Sequence, residues 1–349
     1  MNFRIPIIVT AIFLASGCET LSYYSQAIRG QLGLMGAARP IEAWLADPAT
    51  PPELRERLEA ASRMREFASR SLALPDNGSY ASYAELGRPY AVWNVYAAPR
   101  FSVEAKQECF PFAGCVSYRG FFSEEDARRH AARLREEGND VYLGGVPAYS
   151  TLGWLDDPLL STFIRYPDVQ LARLMFHELA HQRVYLKGDT AFNESFAVAV
   201  EEEGVRRWLE RNGTPAERDA YAAVRQRRAD FVRLVLRYQE RLDALYRETL
   251  PDEAKREGKR KRLAEMDADY RALKERSWGG FAGYDRWFDG GVNNAKLASV
   301  ATYEELVPAF RALLAREQGD LPRFYAAVKA LAALDKPQRD RELAALTPR

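Results

Sequence analysis

Phe176-His177-Glu178-Leu179-Ala180-His181, followed closely by Phe192-Asn193-Glu194-Ser195-Phe196-Ala197, is the stretch on which the reading of this chain turns. Its first part is an H-E-x-x-H motif. On a helix, residues four apart lie one turn above each other on the same face, so His177 and His181 can offer two imidazole nitrogens to one metal ion. Glu178 stands beside them, placed to take a proton from water on that ion. The chain has only three histidines, and two of them fall at this spacing.

The flanks read as helix. Val169, Leu171, Ala172, Leu174, Met175 and Phe176 lead in, and Leu179, Ala180, Val184 and Tyr185 continue. A helix apolar nearly all round is buried. Gly188 is a stop signal. A second helix is expected to begin near Asn193, an N-cap type of residue, and to run through Phe196, Val198, Val200 and Val205. A catalytic zinc takes three protein ligands and keeps one position for water. The remaining histidine, His130, lies 47 residues before His177, so a carboxylate is expected as third ligand. Glu194, 13 residues after His181, is the best candidate. Glu201 returns to nearly the same face; it either ligates instead or hydrogen-bonds a ligand imidazole and fixes its tautomer.

The run H-E-L-A-H followed by N-E-S-F-A-x-x-x-E resembles the gluzincin metallopeptidases. Among them it is similar to zinc aminopeptidases whose second helix reads N-E-G-F-A-x-x-x-E. The whole chain resembles a family of bacterial lipoproteins described as putative aminopeptidases. The stretches that carry this are Tyr23-Tyr24 to Pro40, Gly144 to Thr162, the metal region, and Asn293-Asn294 to Phe310. No G-x-M-E-N segment, which reads a substrate amino terminus in such enzymes, is present. The resemblance implies Zn2+ on His177, His181 and a glutamate, with Glu178 as general base. It implies a downstream tyrosine that stabilises the oxyanion; Tyr303 is the first candidate and Tyr284 the second. It also implies an edge strand upstream of the metal helix that pairs with the substrate backbone, which places Ala148, Tyr149, Ser150 and Thr151 along the cleft. Asn293 and Asn294 suit a helix cap and are also amide groups able to hold peptide backbone. Asp156 and Asp157 read as turn residues before Pro158, or as acidic groups that hold a free α-amino group.

At 349 residues, 47% hydrophobic and 28% charged, the chain is globular, with enough length for one large domain or two modest ones. A net charge of +1 gives no nucleic-acid footprint. Arg4 precedes an apolar run, Ile5 to Ala15, that is too short to span a bilayer as a mature helix. The following Ala15-Ser16-Gly17-Cys18 resembles a bacterial lipobox. That implies removal of residues 1–17 and a lipid on Cys18, through which the protein would reach a membrane. Glu19 directs the expectation to the periplasmic face of the outer membrane, in a bacterial cell envelope. In an oxidising periplasm, Cys109 and Cys115 flanking a Pro- and Gly-containing loop read as a local disulfide.

The expected fold is α+β and mostly helical: a small mixed or antiparallel sheet beside a gluzincin-like H-E-x-x-H helical core, with a long helical hairpin. After a tether over 18–30, helices fill 31–79. A strand-rich subdomain spans 80–168, with strands at Tyr90 to Tyr96, Ser117 to Phe122 and Val141 to Leu143, and a helix capped by Ser123 on which His130 reads as a solvated surface residue. The metal-binding helices occupy 169–204. A charged hairpin follows over 205–276, interrupted at Pro251 and Gly258, with Lys255 to Arg262 at its tip, solvated or touching anionic lipid. The C-terminal region, 277–349, is helical. The activity expected is a zinc peptidase, an aminopeptidase by resemblance, acting on peptides of the cell envelope. The rivals are hydrolysis of peptidoglycan stem peptides and a non-enzymatic envelope lipoprotein with a structural metal and a partner-binding hairpin.

Overall fold

A computed structural model describes residues 23–110, 114–148 and 150–346. Cys18 and the segment 1–17 lie outside the described residues, as does Tyr149. The fold is α+β and mostly helical, as expected. Among the described residues there are two sheets of three strands and one of two.

The main sheet is antiparallel, with Val92–Pro99 between Arg119–Phe121 and Asn139–Val146. Alternation along the central strand sends its two faces to different partners. Trp93, Val95 and Ala97 pack on Ala127, Ala131 and Leu134 of the Glu124–Glu136 helix. That helix is capped by Ser123, which accepts from Asp126 N–H. Val92 and Asn94, on the opposite face, look into a cavity. A second, mixed sheet joins Ala38–Pro40, Ser82–Ala84 and Leu159–Leu160. Cys109 and Cys115 face each other in the two-stranded ladder and are joined by a disulfide.

The largest core is helical. Pro52–Leu72, Asp168–Arg183, Thr190–Asn212 and the C-terminal helices bury Leu58, Met64, Phe176, Phe192, Phe196 and Phe310 together. Gly204 allows this: a Cβ there would stand 2.8 Å from both Leu72 and Phe176. A second core lies along the hairpin Pro215–Arg247 and Asp252–Arg276, around Phe231, Tyr238, Met266 and Tyr270.

Four expectations are corrected here. The hairpin turns at 248–251, and Gly258 lies inside its second helix, where a Cβ would meet Leu245 at 2.8 Å; the glycine permits close helix packing instead of breaking the helix. The Lys255 to Arg262 cluster begins in the first turn beyond that loop, and within it Lys259 is not solvated: its Nζ binds Asp140 Oδ2 at 2.5 Å beside the main sheet. His130 is buried, not solvated: its ring packs on Phe121 and its Nε2 lies 3.7 Å from Glu108. Finally, the strand near the cleft ends at Val146, so Ala148, Ser150 and Thr151 are not an edge strand. Pro147 has no N–H to extend a ladder, and the chain turns instead onto Asp157, which accepts from Thr151 N–H at 2.8 Å.

Candidate metal centre and its cavity

The ligand pair lies on Asp168–Arg183 and the glutamates on Thr190–Asn212. Both helices are apolar on nearly every face, so packing buries them and carries the polar residues inside. The loop between them fixes their register. Asp189, not Asn193, is the N-cap: it accepts from Phe192 N–H at 3.1 Å and binds Arg339 at 2.8 Å. Asn193 sits within the first turn and reaches back to the loop. Its Oδ1 accepts from Leu186 N–H at 2.7 Å and its Nδ2 donates to Leu186 C=O at 2.8 Å. This clamp sets where the next residue, Glu194, stands relative to His181.

Nε2 of His177 and Nε2 of His181 are 3.2 Å apart. Oε2 of Glu194 lies 3.2 Å from the first and 3.5 Å from the second. Tetrahedral zinc with bonds of about 2.0–2.1 Å spaces its ligand atoms about 3.3 Å apart, so the triangle has the edges such an ion needs. Among the described residues this is the one group of three His, Cys, Asp or Glu side chains that meets at ligand distances. The donor set, two imidazoles and a carboxylate, suits zinc with one position left open.

Glu201 takes the other side of the same ring: its Oε2 is 2.9 Å from His177 Nδ1. That contact keeps a proton on Nδ1, so when the Nε2 proton is lost the ring is left in the tautomer a metal ligand requires, with Nε2 towards Glu194 and His181. Glu201 also accepts from Arg228 at 2.7 Å and Arg173 at 3.2 Å, and Arg228 continues to Glu304 at 2.8 Å. The structure thus brings Glu194 to the ligand position and Glu201 to the imidazole behind it. Nδ1 of His181 is buried with no hydrogen-bond partner among the described residues.

The electrostatics follow from burial against pairing. Burial disfavours a charged His177, but hydrogen bonds that its ring donates to Glu194 and Glu201 and the nearby carboxylate charges lift its pKa to about 10 in the metal-free site. Burial would raise Glu194, and the His181 charge with bonds to both rings brings it down to about 2. Glu201, equally buried, is held well below the carboxylate range chiefly by Arg173 and Arg228. Glu178 is the exception. Burial raises its carboxyl above the ordinary value despite His177 and His181, which is what a general base needs.

The triad opens on a cavity of about 580 Å³, within the range of small-ligand sites. Glu178, Tyr118, Tyr303, Ala148, Ser150 and Arg173 all line it. Tyr303 lies 3.5 Å, hydroxyl to hydroxyl, from Tyr96, and burial raises its pKa well above the ordinary value, so it stays a donor. Ser195 holds it there, donating to Tyr303 C=O at 3.4 Å and accepting from Leu306 N–H at 3.2 Å. Tyr284 is stacked on Phe231 at 4.1 Å in the hairpin core. The wall opposite the metal helix includes Tyr23 and Tyr24 from the helix over residues 23–37.

Asn293 and Asn294 are not brought to the cavity. Asn293 caps the Asn294–Glu304 helix by accepting from Lys296 N–H at 2.9 Å and donates to Val141 C=O. Asn294 is fully buried and donates to Pro99 and Arg100 carbonyls. Both amides are spent on joining the helix to the sheet. Asp157 accepts from Thr151 and is spent on its turn. Sequence reading did not single out Arg173, although its spacing of four before His177 puts it on the same helix face, nor Tyr118.

Residues 22–343 match the family described as putative aminopeptidase, which covers nearly the whole chain; the chain belongs to this family. No curated protein and no solved structure matches it.

Proposed function

We propose that this protein is a zinc-dependent peptidase, acting as an aminopeptidase on peptides of the bacterial cell envelope, where a lipid on Cys18 anchors it. The observation that carries the reading is the convergence of His177 Nε2, His181 Nε2 and Glu194 Oε2 on the wall of an open cavity. A zinc ion held by these three residues would supply Lewis acidity to the scissile carbonyl and make a water acidic enough to ionise near neutral pH.

The chain's own residues do the rest. Glu178 accepts the water proton on its carboxylate, which its raised pKa favours, and returns it to the leaving nitrogen. Tyr303 offers its hydroxyl hydrogen to the oxyanion of the scissile carbonyl. Glu201 keeps His177 in the tautomer that leaves Nε2 free. The buried walls exclude bulk water from the reacting bond.

The test uses the full chain and Glu178→Gln, loaded with zinc and given unblocked and N-terminally blocked peptides. The expected result is cleavage of unblocked peptides by the wild type, and unchanged zinc content with at least a hundredfold lower kcat in Glu178→Gln. Equal rates in the two would remove Glu178 as base. Chelation should abolish cleavage and leave near-UV circular dichroism in place; unfolding on chelation would make the metal structural.

A further inference from the structure

Glu178, Glu194 and Glu201 are the acidic side chains that line the cavity among the described residues. Glu194 faces the two rings, Glu201 is enclosed by His177, Arg173 and Arg228, and Glu178 stands next to the ligands. None is left to hold a substrate ammonium away from the triad. The cavity has a cation instead. Arg173 lines the cavity, is 41% exposed at its side chain and, among the described residues, makes one hydrogen bond, from one terminal nitrogen to Glu201 Oε1 at 3.2 Å. A guanidinium carries five N–H donors, so donors remain for a ligand.

Glu201 has a second counterion beside Arg173. Arg228, 22% exposed, already sits 2.7 Å from the same Oε1 and balances Glu304 as well. Arg228 is shared between Glu201 and Glu304, so Arg173 is the cation of this network with donors left over for an anion.

We infer that Arg173 binds a carboxylate of the substrate, and that the peptides this site takes are short ones read at their C-terminal end. The inference rests on the peptidase reading of the same cavity. The contacts from His177 Nε2 across its ring and Glu201 set an upper limit of about 10 Å to the Arg173 nitrogen that meets Glu201, so with about 3.3–3.6 Å per extended residue the carboxylate lies within a few residues of the scissile carbonyl. Arg matches a carboxylate with two parallel N–H···O bonds. A glutamate or aspartate side chain at that distance offers the same chemistry from a second source.

The experiment compares trialanine, trialanine amide, and an alanine tripeptide amide with a central glutamate, on the zinc-loaded full chain and on Arg173→Gln and Arg173→Lys. The expected wild-type preference is about ten- to a hundredfold in kcat/KM for the free acid over its amide. Arg173→Gln should erase it by slowing the acid at least tenfold more than the amide, and Arg173→Lys should recover part. A wild-type preference confined to the glutamate-bearing amide would keep the carboxylate site and assign it to a side chain. Equal slowing of acid and amide in Arg173→Gln would mean that Arg173 only props Glu201, and would overturn the inference. Calorimetric binding of the same peptides to Glu178→Gln separates the two levels. Tighter binding of the acid with no wild-type turnover keeps the carboxylate site and ends the hydrolase reading. Turnover without preference for the acid does the reverse.

Discussion

Replacing Glu201 with glutamine tests the assignment of ligand and supporting glutamate. The native carboxylate is 2% exposed and accepts from His177 Nδ1 at 2.9 Å, Arg228 at 2.7 Å and Arg173 at 3.2 Å. A glutamine keeps one acceptor oxygen and turns an NH2 group towards groups that can only donate. It also withdraws the negative charge that makes the His177 ring a stronger donor to a metal. Loss of such a partner weakens metal binding by about 10–100-fold, or about 1.4–2.7 kcal/mol. Folding stability should fall too. Breaking a buried ion pair costs about 3–5 kcal/mol when a charge is left alone; Arg228 keeps Glu304 at 2.6 Å, so the cost should sit below that range. Zinc affinity is read by competition with a chromophoric chelator at pH 7.5, beside Glu194→Gln. The ligand variant should lose more affinity than Glu201→Gln. If Glu201→Gln loses more, the two glutamates have exchanged roles, and wild-type affinity in both variants would refute the metal centre.

Three further outcomes follow from the geometry. Asn193→Ala strips partners from both the N–H and the C=O of Leu186 and should cost about 2 kcal/mol in denaturant unfolding, with weaker zinc binding; full stability with an unmoved Glu194 would discount the clamp. Tyr303→Phe removes the hydroxyl donor that lines the cavity and should lower kcat by about 10²–10³-fold with zinc content unchanged; an unaltered kcat would transfer the role to Tyr118. Zinc uptake should depend on pH, because the metal-free pocket holds a proton on His177 up to about pH 10. The ion must displace that proton, so apparent affinity should rise about tenfold per pH unit from pH 7 to 9; a flat profile over that range in the chelator competition would show that His177 carries no proton to displace.

Periodicity made the two central helices legible, since apolar residues on nearly every face of 171–181 and 192–205 leave burial as the outcome there. Spacing of four made His177 and His181 legible as a pair. Glu194 against Glu201 stayed open because both lie on the same helix, and only the tertiary contacts, the Asn193–Leu186 clamp among them, show which carboxylate meets Nε2 and which meets Nδ1 of His177. Asn293 takes the cap role its position allowed, while Asn294 is turned from peptide to sheet by Pro99 and Arg100, nearly 200 residues away in sequence, and an amide reads alike in either use. His130 was misjudged because its arginine neighbours suggest solvent, while its partners, Phe121 and Glu108, come from strands.

The charged hairpin changes meaning most. Read as a run of opposite charges, 205–276 looks like a solvated appendage with its own work to do. Arg228 contradicts that independence: from the middle of the first hairpin helix it reaches Glu201 and Glu304, joining the hairpin to the helix behind His177 and to the helix that carries Tyr303. A charge in such a place is costly to bury unless its partners are fixed, so the hairpin cannot shift without separating Arg228 from Glu201. Tilting the hairpin would therefore alter the orientation of a ligand imidazole before it altered any ligand directly. Substitutions along the Phe231–Tyr284–Trp287 packing, remote from the cavity, should register as weaker zinc binding, whereas substitutions on the exposed face of the hairpin, such as Val224, should not.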